Sequence, residues 1–155
     1  MPVLSRKAKY ALKAILCLAQ RREGGPLLIS EIAEREGIPK KFLELILLQL
    51  KNQGFLHSKK GRGGGYVLSR PPDQISFGQV IRVMDGPLAL LPCVSQTAYR
   101  KCDECADEAT CGIRMVMKEV RDSTAQILDG TTFADVVGRI RAASRRRRES
   151  AARKP

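Results

Sequence analysis

Residues 39–68 read PKKFLELILLQLKNQGFLHSKKGRGGGYVL, and this stretch decides the fold class. Its first half predicts a helix with one buried face, because apolar residues recur at three- and four-residue spacing: Phe42, Leu43, Ile46, Leu47 and Leu50. Pro39 suits the start of this helix, and Gly54 suits its end. The second half predicts a β-hairpin, since two short β-type segments flank a basic, glycine-rich loop.

Two further helices are predicted before this stretch. Apolar residues from Ala8 to Ala19 recur with helical spacing. Ser30 can cap a short second helix, which Gly37 ends. Two helices joined by a short glycine-containing turn fit a helix-turn-helix, and the hairpin that follows makes the arrangement a winged one. We therefore predict a winged helix-turn-helix DNA-binding domain over residues 1–70.

The region after the wing has a different organisation. Pro71 and Pro72 mark a boundary, a short helix over residues 76–84 follows, and a cysteine-rich loop then runs to about Cys111. Apolar residues next recur through a helix of about 18 residues. The apolar face of this helix is too long for the small acidic region to cover alone, so we expect a second copy of the chain to cover it.

These elements give a fold that is mainly α with a small β wing, in which a long dimerisation helix follows the winged helix-turn-helix. We assign residues 71–143 to the sensor loop and the dimerisation helices, with a last helix that begins at Thr131 or Thr132 and ends at about Ala143. Residues 144–155 are basic and lack apolar periodicity, so we predict a disordered tail.

Charge is distributed unevenly along the 155 residues, whose formal net charge is +12. Residues 1–70 carry 14 Lys/Arg against 5 Asp/Glu, whereas residues 71–138 carry 6 against 10. A basic first half predicts a polyanion partner, and double-stranded DNA suits the predicted fold. The N-terminus does not resemble a signal peptide and no segment is long and apolar enough to span a bilayer. We therefore expect a cytoplasmic protein that has no membrane partner.

Candidate DNA-binding residues lie on three elements. The predicted third helix supplies Lys40, Lys41 and Glu44 at its N-terminal end, where a recognition helix reaches bases or phosphates. Glu44 either accepts a hydrogen bond from a cytosine amine or positions a neighbouring cation. At the wing, Lys60 and Arg62 can enter a narrow minor groove, and the loop glycines let the backbone approach the duplex. The remaining candidates are Gly64 in the wing and Ser5, Arg6 and Lys7, which begin the first helix and are predicted to contact phosphates.

Four of the five cysteines lie within nineteen residues, at Cys93, Cys102, Cys105 and Cys111. Cytosolic thiols stay reduced, so this cluster predicts metal ligands or a redox sensor rather than structural disulfides. Soft thiolates select an iron–sulfur cluster or Zn²⁺. The spacing Cys102-x2-Cys105 also suits zinc. Three possibilities stay open from the residues alone: a [2Fe–2S] cluster, zinc, or a thiol–disulfide switch.

Several segments of the chain share a pattern with a known family. They are Leu4-Ser5-Arg6-Lys7-Ala8-Lys9-Tyr10-Ala11-Leu12, Ile32-Ala33-Glu34, Phe42-Leu43-Glu44 and Gly61-Arg62-Gly63-Gly64-Gly65-Tyr66-Val67-Leu68. Together they resemble the Rrf2 family of bacterial transcription regulators, over about residues 3–143. The glycine-rich wing that ends in Gly-Gly-Tyr is the most specific of these motifs.

The resemblance implies a homodimer with a long crossing helix after the cysteines. It further implies that several family members bind a [2Fe–2S] cluster whose state changes DNA binding, in response to iron, redox or nitrosative signals. Glu44 matches the family's base-reading glutamate, and Lys60 and Arg62 match the region of its wing arginine. Cys105-x5-Cys111 fits the second half of the family's cysteine pattern. The spacing from Cys93 and the presence of Arg114, where members often carry a histidine ligand, depart from it.

The sequence also bears on three other functions: an enzyme, a regulator without a cluster, and an adaptor. An enzyme is disfavoured, because the chain has one histidine and no recognisable catalytic constellation. A zinc-binding or thiol-switch regulator without a cluster would use the same cysteines. An adaptor that acts through a protein partner would bind DNA weakly. We therefore predict a DNA-binding transcription regulator that is not an enzyme.

Overall fold

The computed structural model describes residues 4–21 and 24–152, which form six α-helices and one antiparallel sheet of two strands. The helices are α1 (Arg6–Ala19), α2 (Ile29–Glu36), α3 (Lys40–Asn52), α4 (Phe77–Asp85), α5 (Gly112–Gly130) and α6 (Phe133–Ala152). The strands are β1 (Leu56–Lys59) and β2 (Gly65–Leu68). The predicted fold class, mainly α with a small β wing and a long helix after it, is confirmed.

Helices α2 and α3 form the predicted helix-turn-helix. Gly37 ends α2 with a φ of 63°, a left-handed conformation that glycine adopts at little cost, and its N–H donates to the Ala33 carbonyl. The predicted cap was wrong: α2 begins one residue before Ser30, at Ile29. The carboxylate of Glu31 accepts the N–H of Leu28 at 2.7 Å and so satisfies the start of the helix without a serine hydroxyl.

The buried side of α3 holds the helix-turn-helix against α1. Leu43, Ile46, Leu47 and Leu50 are fully buried, as the periodicity predicted. Phe42 is only partly buried and packs edge to face on Tyr10 of α1, with ring centroids 5.6 Å apart. Burial of these aliphatic side chains is the main force that positions α3, because each contributes about 1.5–3 kcal/mol when fully buried.

The wing is more extensive than the hairpin alone. Strand β1 pairs with β2 from Leu56 opposite Leu68 to Lys59 opposite Gly65. Tyr66 also exchanges two backbone hydrogen bonds with Leu27, at 2.8 and 3.0 Å. Gly65 lies so close to the Leu27 carbonyl that a β-carbon would overlap it. This third pairing anchors the wing to the segment between α1 and α2, and nothing in the local sequence pattern indicated it.

The hydrophobic core continues across the boundary that we predicted after residue 70. Ile75 and Val80 belong to the same buried cluster as the side chains of α1 and α3. Phe133, at the start of α6, is fully buried and stacks on Phe77 with centroids 4.5 Å apart. Pro71 and Pro72 do interrupt regular structure, but the apolar residues on α4 and α6 still pack on α1. Residues 71–143 therefore do not have a core of their own.

The last helix differs most from its prediction. Thr132 caps α6 as expected, since its hydroxyl accepts the N–H of Asp135 at 3.1 Å. The helix was predicted to end at about Ala143, but it continues through the arginine run to Ala152. Arginine and alanine are good helix formers, and Glu149 follows Arg145 by one turn, so helix forms without apolar periodicity. Residues 153–155 of the predicted tail lie outside the described residues.

A close contact between α4 and α5 fixes the angle of the long helix. Arg82 of α4 makes two hydrogen bonds to the carboxylate of Asp129 near the end of α5, at 2.6 and 2.8 Å. This pair lowers the pKa of Asp129. A β-carbon on Gly78 would overlap the Asp129 carboxylate, so glycine is required for the approach. The long helix is thus attached near its C-terminal end to α4, which packs on α1.

We expect Gly78→Ala to lower the free energy of unfolding by about 1–3 kcal/mol, because the added methyl group displaces Asp129 from Arg82. Urea unfolding followed by circular dichroism at a fixed protein concentration measures this. Gly138→Ala is the matched control, since a methyl group there has no neighbour within 4 Å. The control should be more stable by about 0.5–1 kcal/mol. A Gly78→Ala protein as stable as the wild type would contradict the contact.

Within the described residues, no helix is both long and apolar enough to cross a membrane.

Candidate functional site

The exposed side of α3 carries the predicted recognition residues. Lys40, Lys41 and Glu44 are all exposed, in the first turn and a half of the helix. They lie opposite the buried stripe, so the core holds the helix while these side chains face outward. Such a surface can supply hydrogen bonds to base edges in a major groove. The structure therefore keeps these three residues available for the predicted role.

The wing tip carries the second set of predicted residues. Lys60 and Arg62 are exposed at the turn between β1 and β2. Gly64 was predicted to face DNA, but it is buried and its N–H donates to the Gly61 carbonyl at 3.0 Å. A β-carbon on Gly64 would overlap the Lys59 carbonyl. Gly64 therefore shapes the turn that presents the cations, and its backbone donor is already used.

The start of α1 differs from its prediction at Ser5. The Ser5 hydroxyl accepts the N–H of Ala8 at 3.0 Å and donates to the Asp85 carboxylate, whose other oxygen accepts the Ser5 N–H at 2.8 Å. Both groups are therefore engaged within the protein rather than free for phosphate. Arg6 is exposed and Lys7 is partly exposed, so these two side chains remain available for phosphate contacts.

Two apolar residues on the outer side of α3 were not named as candidate site residues. Leu45 is 66% exposed and Leu48 is 50% exposed. Helical spacing places Leu48 at the centre of the exposed face, with Glu44 and Leu45 on either side of it. The signal that could have found them is the helical period itself, since both residues lie outside the buried stripe.

In the loop between α4 and α5, Cys93 and Cys102 line one cavity, and Cys105 lies beside Cys111. Cys93 is buried in a short 3-10 turn, Pro92–Val94, and Cys102 is exposed. Both line a cavity of about 210 Å³, to which Arg100 and Lys101 also contribute.

The second pair is Cys105 and Cys111, whose side chains share a hydrogen bond. Cys111 lies immediately before α5, so the Arg114 backbone N–H at the start of that helix lowers the pKa of the Cys111 thiol. Desolvation, followed by the hydrogen bond that the Cys105 thiol donates to Cys111, raises the pKa of the Cys105 thiol. Cys111 therefore has the lower pKa of the two thiols and forms a thiolate more readily than Cys105.

The chemistry of these donors suits a soft metal centre, although the arrangement does not yet form one. All five cysteines are free. Among the residues that the structure describes, no three His, Cys, Asp or Glu side chains are grouped closely enough to hold a metal ion. Four free thiols in one loop match the ligand type and number of a [2Fe–2S] cluster or a zinc site. The loop would have to draw its two cysteine pairs together to provide such a centre.

The cysteine loop begins beside a contact with the start of α1. Asp85, the last residue of α4 before the loop, holds Ser5 at the start of α1. Arg6 and Lys7 follow Ser5 immediately. At the other end of the loop, α5 returns to α4 through Asp129 and Arg82. A movement of the loop can therefore be transmitted to α1 through the carboxylate of Asp85, which is hydrogen-bonded to Ser5.

Helix α5 has an uncovered apolar face. Ile113 is 69% exposed and Ile127 is 66% exposed, and Val116 and Val120 between them are also exposed. The spacing of these four residues places them on one side of the helix. The adjoining side, about a quarter turn away, packs inward around Arg121, which is buried, although the apolar periodicity gave no indication of a buried arginine. The exposed side forms a continuous surface of the kind that a partner chain covers.

Comparison with known proteins supports this description. The family model Rrf2, described as an iron-dependent transcriptional regulator, matches residues 4–139. An rrf2-like HTH-type transcriptional regulator of Rhodobacter capsulatus is 47% identical over 138 residues, which cover 87% of this chain and 92% of the relative. Its description and the family's name a regulator, so the prediction of a regulator rather than an enzyme is confirmed.

Solved structures agree with the fold. CymR of B. subtilis, described as the global cysteine regulator, superimposes with a TM-score of 0.75 at 30% identity and covers 89% of this chain and 98% of its own. IscR of T. potens superimposes with a TM-score of 0.72 at 29% identity, over 92% of this chain and 90% of its own. This chain belongs to the Rrf2 family of DNA-binding, winged helix-turn-helix transcription regulators.

Proposed function

We propose that this regulator binds its operator as a homodimer and senses iron, redox or nitrosative status through the cysteine loop. The observation that carries the proposal is the contact between Asp85 and Ser5. It connects the last residue of α4, where the cysteine loop begins, to the cationic start of α1, so the sensor loop and a proposed DNA-contacting surface share a hydrogen-bonded link. The family description, which includes iron dependence, supports an iron-containing signal.

In this proposal α3 lies in the major groove and the wing lies beside it. Glu44 accepts a hydrogen bond from a cytosine amine, while Lys40 and Lys41 contact phosphates or base edges near the start of α3. Lys60 or Arg62 enters the minor groove, and Arg6 and Lys7 contact phosphates. The α5 faces of two chains pack together and set the distance between the two recognition helices, which determines the spacing of operator half-sites.

Cys93, Cys102, Cys105 and Cys111 would hold a [2Fe–2S] cluster in this proposal. Such a cluster would supply a redox-active group that can also be lost. The protein's own contribution is to gather the four thiols and thereby fix the loop relative to Asp85 and α5. A ligand shifts a conformational balance only through different affinities for the two conformations, so occupied and empty loops must favour different arrangements of the DNA-facing surface.

The contact between Cys105 and Cys111 favours a second candidate, a thiol switch without a metal. A disulfide between Cys105 and Cys111 would release two protons and two electrons, which an oxidant would have to accept, and the lowered pKa of the Cys111 thiol favours the thiolate form that reacts. Zinc bound by the same four thiols is the third candidate. Metal analysis of anaerobically purified protein distinguishes the three: iron and sulfide in equal amounts indicate a cluster, one zinc per chain indicates a zinc site, and neither indicates the switch.

The DNA-binding surface is tested by two kinds of substitution on duplexes selected from a random pool. Glu44→Ala should change the preferred base at one position in each half-site and lower affinity for the selected duplex by about 1–3 kcal/mol. Lys60→Ala and Arg62→Ala should weaken binding to all duplexes and reduce the salt dependence by about one counterion per subunit.

Lys118→Ala, which removes an equal charge from the exposed surface of α5, is the control and should change neither property. If Glu44→Ala left the selected sequence unchanged, Glu44 would not be a residue that reads a base.

A further inference from the structure

Leu45 and Leu48 occupy a position on α3 that an ordinary exposed surface does not explain. Their side chains are 66% and 50% exposed, although the adjoining buried stripe of α3 is complete. They are three residues apart, so they lie next to each other on the helix surface. Surface leucines are common singly, but a pair at the centre of the outer face of a recognition helix is a contact surface.

The charges around this pair indicate what covers it. Lys40 and Lys41 precede the two leucines, Lys51 follows them, and all three side chains are exposed. The wing cations Lys60 and Arg62 belong to the same winged unit. A protein partner that buried this face would have to desolvate or pair several lysines, whereas a duplex supplies a phosphate for each of them. Charge complementarity thus selects double-stranded DNA as the occupant.

Within the major groove, only thymine offers an apolar group at the base edge, its C5-methyl. A leucine cannot donate or accept a hydrogen bond, so its favourable contact in the groove is with that methyl. We propose that Leu45 and Leu48 determine specificity by packing against thymine methyl groups next to the base that Glu44 reads. This inference rests on the proposed placement of α3 in the groove.

The helix geometry limits where these thymines lie. Leu45 is one residue from Glu44 and Leu48 is four residues away, which is about 1.5 and 6 Å along the helix axis. Base pairs follow one another at about 3.4 Å along the duplex. Both thymines therefore fall within about two base pairs of the position that changes when Glu44 is replaced.

The experiment begins with in vitro selection from a random duplex pool by the full-length protein and by Glu44→Ala. The selected duplex is then synthesised with deoxyuridine in place of each thymidine near the Glu44 position, which removes only the methyl group. We expect each effective replacement to weaken wild-type binding about fourfold, the loss that corresponds to one buried methyl group. In the Leu45→Ala and Leu48→Ala proteins, the missing leucine no longer contacts its thymine. Each variant should therefore bind the thymidine duplex and the duplex with deoxyuridine at that thymine with nearly equal affinity.

Two controls keep this test independent of folding and of the proposed function. Leu90→Ala removes another exposed leucine, 39% exposed in the sensor loop, and should leave the wild-type ratio of the two affinities unchanged. Circular dichroism checks that the α3 variants stay helical, which is expected because alanine favours helix.

Several results would overturn the inference. One is a selected sequence without thymine at these positions, and another is an equal deoxyuridine effect in wild-type and leucine variants. A third is a change of oligomeric state in Leu45→Ala or Leu48→Ala with an unchanged affinity ratio, since the leucines would then face a protein. If Glu44→Ala fails to alter the selected base but the deoxyuridine effect still disappears in the leucine variants, the proposed base-reading role of Glu44 fails and the leucine contact stands. If neither effect is seen, the proposed placement of α3 fails together with the inference.

Discussion

Val120→Asp should convert the proposed homodimer to a monomer and lower its affinity for a two-half-site duplex by about 100-fold or more. Val120 lies on the same side of α5 as Val116 and Ile127, where all three side chains are exposed in the isolated chain. A carboxylate buried there without a partner costs several kcal/mol, which a dimer interface cannot offset. Loss of the second subunit removes the avidity of two linked half-sites, an effect of about 10²–10⁴ in affinity.

Gln126→Asp is the matched control for this substitution. Gln126 is also exposed on α5, but helical spacing places it about a quarter turn or more from the apolar face. The same carboxylate there should leave the dimer intact. Sedimentation velocity at several protein concentrations gives the oligomeric state, and fluorescence anisotropy gives the DNA affinity. A Val120→Asp protein that sediments as the wild type does would show that the dimer uses another surface.

Cys111→Ser should abolish the response of DNA binding to the state of the cysteine loop. Cys111 joins the loop to α5 and contacts Cys105, so its loss removes one member of the closer cysteine pair. The serine hydroxyl cannot replace a thiolate as a soft ligand, nor can it form a disulfide. The variant should therefore bind DNA with one affinity under all conditions, and its iron content after anaerobic purification should fall well below that of the wild type.

Cys17→Ala serves as the control for the cysteine substitution. Cys17 is buried in α1, far along the chain from the other four, and burial raises the pKa of its thiol. It behaves as a small apolar residue. Its replacement should leave metal content and the response of DNA binding unchanged. If Cys17→Ala lost the response and Cys111→Ser kept it, the sensor would lie in α1 rather than in the loop.

The periodic parts of the chain were predictable because burial imposes a spacing on them. Leu43, Ile46, Leu47 and Leu50 had to share one side of α3, and the glycine-rich wing had to turn between two strands. The resemblance to the Rrf2 family could be recognised in the wing motif, because a tight turn limits which residues fit between the two strands. The capping hydroxyl of Thr132 was equally readable, because few side chains satisfy the start of a helix.

The remaining features depend on contacts between segments that are distant in sequence. The Leu27 pairing with the wing, the Arg82–Asp129 pair and the bond from Ser5 to Asp85 leave no local pattern. Gly64 belongs to a motif that suggests DNA contact, yet only the folded turn shows that its N–H is already used. The helical arginine run of α6 was missed because periodicity detects buried faces, whereas this segment relies on propensity.

The most direct measurement is the affinity for one selected duplex of two protein samples. In one sample the cysteine loop is occupied, and in the other a chelator has removed the metal under anaerobic conditions. Anisotropy titrations at three salt concentrations separate a change in affinity from a change in phosphate contacts. The proposed coupling predicts affinities that differ by about tenfold at every salt concentration, within the usual range for two linked sites. The metal content of both samples is measured, to verify that the loop is occupied in one and empty in the other. Equal affinities in these two states would contradict the claim that the cysteine loop controls DNA binding.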